Sequence, residues 1–366
     1  MKKTILLIAT WVFLQNIYAQ NLLNSLKEGD LTIGGYVDAY YGYDFNEPRN
    51  QERAYFVSMA RHNEMTVNLA YLSFRYEATN IRAVFTPAVG TYMNANYAAE
   101  SLTLKNILEG YAGVKLGRNV WVDAGVFGSP YTNEGPISKD QLMYSRSFAP
   151  EYVPYYLSGL RAQIPMGEKW KFTLYLLNGW QLIQDNNTGK SLGTQLEWKP
   201  SEKVLINWNT YIGEENSATR PDFRNRYFTD LYTVINPEGK FSATACVYVG
   251  VQERKDTLQN RLENDIWFNA NVIGRYRFTE KLSLSGRIEY FDDPKSVQIS
   301  PVTAANGVQG FTTYSAGLCL NIQAAENALI RFEGRTFWAD KNVYLDAKQA
   351  PTNQSNLLIA GFTVWF

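Results

Sequence analysis

Histidine occurs once in these 366 residues, as His62, and cysteine only twice, as Cys246 and Cys319. A Ser/His/Asp hydrolase needs a histidine to relay the proton, so His62 is the single candidate, and no G-x-S-x-G elbow accompanies it. Within Arg61-His62-Asn63-Glu64 a polar residue at a strand entrance is the expectation. Paired histidines and Cys-x-x-Cys are missing, which removes structural zinc. P-loop and dinucleotide fingerprints are missing too. Asp185-Asn186-Asn187 and Asp292-Asp293 offer oxygen ligands without EF-hand spacing, so solvated turns are expected there. These residues call for no catalytic site, no metal and no cofactor.

An excess of either charge is also lacking. Lys+Arg and Asp+Glu stand at 35 each, which gives no support for nucleic acid as a partner. No Pro/Ser linker, charge block or composition shift marks a domain boundary. The only long apolar run is at the amino terminus, where Lys2 and Lys3 precede Thr4 to Leu14 and Ile17-Tyr18-Ala19 offers a cleavage site before Gln20. That run falls short of the roughly 18 residues needed to span a bilayer. Residues 1–19 are expected to be a secretory signal peptide, 20–30 a short periplasmic segment and 31–366 one domain. An exported chain permits a disulfide. Cys246 and Cys319 fall three strands apart in the expected order, however, so two free thiols are expected.

What the chain does have is aromatic residues, at 14% with Tyr far ahead, and alternation of period two along its whole mature length. In one segment Phe241, Ala243, Ala245, Val247, Val249 and Val251 oppose Ser242, Thr244, Cys246 and Gln252. In the next, Ile266, Phe268, Ala270, Val272 and Tyr276 oppose Asn269, Asn271, Arg275 and Arg277. Tyr156, Ser158, Leu160, Ala162 and Ile164 are expected on one face, opposite Arg161 and Gln163. Short turns fall at 79–80, 117–119, 165–169, 199–203, 236–240, 279–281 and 323–327. Long polar connectors separate them, near 46–64, 93–106, 129–151, 184–190, 214–226, 253–264, 292–309 and 339–355. Short turns alternating with long loops are the habit of an outer-membrane barrel, with the loops external. The expected fold is all-β: an antiparallel up-and-down transmembrane β-barrel of about sixteen strands, bounded between 14 and 18.

Trp170 and Trp180 are expected on the lipid side, ten residues apart. Ten residues rise about 33 Å, which a tilt near 40° projects to roughly 25 Å, the height of the apolar band. Met65 to Glu77 changes phase midway, which a bulge would explain. Tyr227 to Ile235 is ambiguous on both faces. At the end of the chain Leu358, Ala360, Phe362, Val364 and Phe366 share one apolar face. This resembles the closing strand of an outer-membrane barrel, whose last aromatic is read by the barrel assembly machinery.

Beyond these segments, the chain resembles the OmpL-like β-barrel porin family. The clearest stretch is Asn178-Gly179-Trp180-Gln181-Leu182-Ile183-Gln184-Asp185-Asn186-Asn187, followed by Lys190-Ser191. Supporting pieces are Gly34 to Tyr41, His62-Asn63-Glu64, Asn207 to Gly213, Arg287 to Asp292 and Arg331 to Arg335. The resemblance implies a porin in the outer membrane of a Gram-negative bacterium, in contact with lipid, and carries over no established binding residues. Trimers are common among porins of this size, though no interface signature stands out.

The lumen is where function is expected. Arg161, Arg275, Arg287, Arg331 and Arg335 fall on the face opposite the lipid, with Glu289 and Glu333 among them, and are the candidate pore-lining residues. Such rings bias ion passage, here towards anions, or brace the wall through Arg–Glu pairs. The third external loop carries Glu134, Lys139, Asp140 and Arg146 and is the candidate constriction, by analogy with general porins. The expected function is passive diffusion of small hydrophilic solutes. The alternative is a barrel closed by its loops that binds or adheres at the cell surface.

Overall fold

The computed structural model describes residues 29–256 and 261–366. The expected signal peptide, 1–19, and nearly all of the 20–30 segment lie outside the described residues. The strands are β1 (Gly29–Asp44), β2 (Glu64–Ala78), β3 (Ile81–Val89), β4 (Ile107–Leu116), β5 (Val120–Gly128), β6 (Tyr156–Pro165), β7 (Trp170–Leu177) and β8 (Ser191–Ser201). They continue as β9 (Val204–Glu214), β10 (Phe223–Ile235), β11 (Phe241–Asp256), β12 (Arg261–Arg277), β13 (Leu282–Asp293), β14 (Phe311–Ala325) and β15 (Ala328–Ala339). A small hairpin, β16 (Tyr344–Leu345) and β17 (Pro351–Thr352), precedes the last strand, β18 (Gln354–Trp365). All but the hairpin form one closed antiparallel barrel of sixteen strands, in which β18 pairs with both β15 and β1. Two short helices sit in loops, α1 (Thr91–Asn96) and α2 (Phe148–Glu151).

The alternation in sequence becomes an inside and an outside. On β11, Ser242, Thr244, Cys246 and Gln252 are buried while Phe241, Val247 and Val249 are exposed. On neighbouring strands Ile288 and Leu318 are more than 60% exposed. So broad an apolar exterior is stable only against lipid. The wall closes through Tyr36 opposite Trp365 up to Asp44 opposite Leu357. The Phe366 amide donates to the Gly35 carbonyl at 3.0 Å and the Gly35 amide donates back at 2.9 Å. Any Cβ at position 35 would stand 2.1 Å from the Phe366 ring. Both cysteines are free and buried, on β11 and β14.

The phase change in β2 is a bulge. Leu69 pairs with Asp38 and Val67 with Ala39, which leaves Asn68 as the extra residue and turns Leu69, Tyr71 and Ser73 to the inside.

Two expectations fail for one reason: parts of the interior are packed with side chains. Trp180 is not at the lipid interface. Gly179 takes a φ of 153°, and Trp180 packs inside against Tyr131, Tyr211, Phe228 and Trp267; Trp170 stacks on Trp198 outside. Tyr156 is 1% exposed, stacked on Tyr97, so the expected lipid face of β6 stops at Leu160. β10, ambiguous on both faces in the sequence, turns Phe228 into a packed interior cluster. The connector expected at 253–264 is strand at both of its ends, because β11 runs on to Asp256 and β12 begins at Arg261.

Candidate functional site

The third loop, residues 129–155, crosses the inside of the barrel and is held by side chains that point inward from the wall. Near its start, Asn207 and Asn209 of β9 donate to the Pro130 carbonyl, and the Thr132 amide donates to Asp230 of β10 at 2.6 Å. Asn133 then reaches Asn271 of β12 at 2.8 Å.

Next comes a layer of charges. Arg287 Nη2 meets Glu134 Oε1 at 3.0 Å and also donates to the Ser145 carbonyl. Glu289 accepts the Phe148 amide at the start of α2, 2.8 Å away, and pairs with Arg335 across β14. Glu333 accepts the amides of Tyr144 and Ser145, both at 2.8 Å. Arg331 donates to the carbonyls of Ser138, Gln141 and Met143. Small residues on β14 make room for these long side chains, since a Cβ at Gly317 would press on Arg335 Cγ at 3.3 Å.

The tip of the loop descends to the far end of β18. There Lys139 pairs with Asp140 at 2.7 Å and lies 5.8 Å over the Trp365 ring. Arg146 turns back on its own loop, donating to Gly135, Pro136 and Tyr144 carbonyls and to Ser138 Oγ. Loops 1 and 3 meet at Glu151, whose carboxylate accepts the Val57 amide at 2.6 Å and the Tyr155 hydroxyl at 3.1 Å. Burial pushes this carboxyl above its ordinary range, and the hydrogen bonds from Val57 and Ser58 pull it back only in part.

The sequence candidates thus divide. Arg287, Glu289, Arg331, Glu333, Arg335, Glu134 and Arg146 gather into one buried network between loop and wall, whereas Lys139 and Asp140 pair apart from it at the tip. Arg275 belongs to neither: it donates to Ser242 Oγ and the Pro237 carbonyl near a short turn. Arg161 is elsewhere again. Its Nε donates to Asp123 at 2.7 Å, its guanidinium lies over Tyr111 and Phe127, and Arg82 approaches the same carboxylate from β3 at 2.6 Å. Arg75–Glu109 and Lys171–Glu197 continue this polar wall. No hydrogen bond or ion pair of the third loop reaches a side chain of β2–β8 among the described residues.

Sequence reasoning missed Asp38. Fully buried at the seam, it accepts from Asn68, Ser138, Tyr144 and Thr363, joining β1, β2, β18 and the loop. Asp230, Asp123 and Arg82 were missed too. Each is a lone charge in an apolar run, which is the one signal that would have found them. His62 is a loop brace: its Nδ1 accepts the Asp44 amide at 3.0 Å. Asp185 pairs with Lys190, and Asp293 accepts the amides of Val297, Gln298 and Ile299.

The family described as "Putative beta-barrel porin-2, OmpL-like" matches residues 30–366. The chain belongs to that family. It is an outer-membrane porin of a Gram-negative bacterium. Among solved structures it is similar to the outer membrane channel DcaP of Acinetobacter baumannii, with TM-score 0.63 and 13% identity over 93% of this chain and 98% of that one. An anion-selective porin from Comamonas acidovorans gives TM-score 0.61 and 9% identity over 93% and 100% of the two chains. OmpT of Vibrio cholerae, in a trimer form, gives 0.58 and 10% over 92% and 99%. Identities this low speak for the shared barrel alone. No curated protein matches the chain. Family and fold are those of channels rather than enzymes.

Proposed function

We propose that this porin is a narrow channel in which the third loop occupies the β9–β15 side of the lumen and small hydrophilic solutes pass along the β2–β8 wall. The observation that carries this reading is a contrast in exposure. Arg287 and Arg335 side chains are 0% exposed beneath the loop. Arg82, Arg161, Lys171 and Arg75 retain 17%, 12%, 37% and 51%. The first group holds the constriction; the second faces the solute. Because Arg82 and Arg161 share the single carboxylate of Asp123, that stretch of wall carries a net positive charge and favours anions.

Reversal potentials in planar bilayers under a salt gradient test this. The unaltered channel is expected to prefer anions, and Arg82→Gln with Arg161→Gln to shift it towards cations. A cation preference in the unaltered protein would refute the assignment. No step in this reading makes or breaks a covalent bond. A homotrimer is the proposed assembly, in keeping with the trimer form of the similar OmpT fold. The exposed Phe366 at the seam is the proposed recognition point for the assembly machinery.

A further inference from the structure

Above the buried charge layer, at the external mouth, a cavity of about 460 Å³ lies between loop 1 (residues 45–63), the 294–310 loop and the β16–β17 hairpin. Phe56, Phe337 and Tyr344 give it aromatic walls. Four charged side chains line it: Arg49 and Glu52 are exposed at its rim, Glu52 paired with Arg61, whereas Arg53 and Asp44 are buried, only 5% and 7% exposed. The buried two form no ion pair with each other.

Each is held in place by part of its hydrogen-bonding capacity. Arg53 donates from Nη1 to the Met59 carbonyl at 3.2 Å, and its guanidinium lies 4.6 Å over the Phe56 ring. Its Nε and Nη2 donate to no group among the described residues. Asp44 Oδ1 accepts the Asn46 amide at 2.9 Å and the Ser355 hydroxyl at 3.4 Å, while Oδ2 accepts from none of the described residues.

A buried cation and a buried anion that share one cavity without pairing are costly, because each recovers only part of its lost hydration from the other. The arrangement suits a molecule that brings both charges itself. A carboxylate on Arg53 and an ammonium on Asp44 satisfy the two free faces, and an apolar side chain covers the rings. The cavity volume lies within the range of sites for small ligands, about 300–1,000 Å³. We propose that this vestibule binds small zwitterions with an apolar side chain, the chemical class of free amino acids and short peptides. The inference is independent of which ions the channel conducts.

The test is calorimetric titration of the folded barrel in detergent with L-leucine, N-acetyl-L-leucine, which keeps only the carboxylate, and L-leucinamide, which keeps only the ammonium. L-leucine is expected to bind at least about tenfold more tightly than either analogue. In Arg53→Gln, leucine and leucinamide are expected to bind alike; in Asp44→Asn, leucine and N-acetyl-leucine. Leucinamide binding retained by Arg53→Gln shows that the pocket has kept its shape. Absence of binding by leucine at millimolar concentration, equal binding of all three probes to the unaltered protein, or undiminished leucine binding by both variants would overturn the proposal.

Discussion

Arg287 of the barrel wall meets Glu134 of the third loop at 3.0 Å with both side chains all but closed to solvent. Such a pair is weak evidence for stability, because desolvating two charges offsets most of their attraction. Breaking it from one side is another matter. Glu134→Gln leaves the guanidinium buried, with Nε and Nη1 already lacking partners among the described residues. The single variant is expected to lower unfolding stability by about 3–5 kcal/mol, and the double variant Glu134→Leu with Arg287→Met by distinctly less. Urea titration of the barrel folded in lipid vesicles measures both. A single-variant loss within about 1 kcal/mol would mean that the pair behaves as an exposed one.

Asp38 ties the third loop to the closing seam through four donors. Hydrogen bonds to a charged group contribute about 1.5–3 kcal/mol each, so Asp38→Ala is expected to free the loop tip. Lys139, partly exposed at that tip, reports it: trypsin cleavage there is expected to accelerate at least tenfold, the equivalent of about 1.4 kcal/mol. Cleavage at the unaltered rate would show that Asp38 serves the seam alone.

Glu151 makes the contact between loops 1 and 3 depend on pH. Its carboxyl is raised by burial in the docked state. Its contribution is therefore complete below the ordinary carboxylate value, about 4.3, and is lost as pH rises through the raised one. Amide exchange of Val57 and Ser58 is expected to be slower at pH 5 than at pH 8, after correction for intrinsic rates, and Glu151→Gln is expected to flatten the difference. Stronger protection at pH 8 would reverse the sign and refute it.

The outline of this fold is written plainly in the chain, and its interior is not. Seven short turns, the bulge near Asn68 and the closing strand all follow from period-two alternation, because lipid demands an apolar outer face on every strand. That same rule is silent about the inner face. Trp180, Tyr156 and Phe228 look like lipid-facing or ambiguous residues only because the loops that cover them are distant in sequence. Arg287, Glu289, Arg331, Glu333 and Arg335 could be recognised as inward from their positions opposite apolar residues. Their partners could not, since Glu134 and Arg287 stand 153 residues apart. Arg82 and Asp123 gave no motif at all; it is the meander, with β4 alone between β3 and β5 and β6 beside β5, that brings them within reach.

The central claim is that the third loop, fixed by the buried network around Arg335, sets the width of the channel. Single-channel conductance in planar bilayers, comparing the unaltered protein with Arg335→Gln, tests it most directly. The unaltered channel is expected to show small, discrete conductance steps, and the variant steps several-fold larger, as the loop leaves the β9–β15 side of the lumen. Equal or smaller steps from a folded variant would contradict the account.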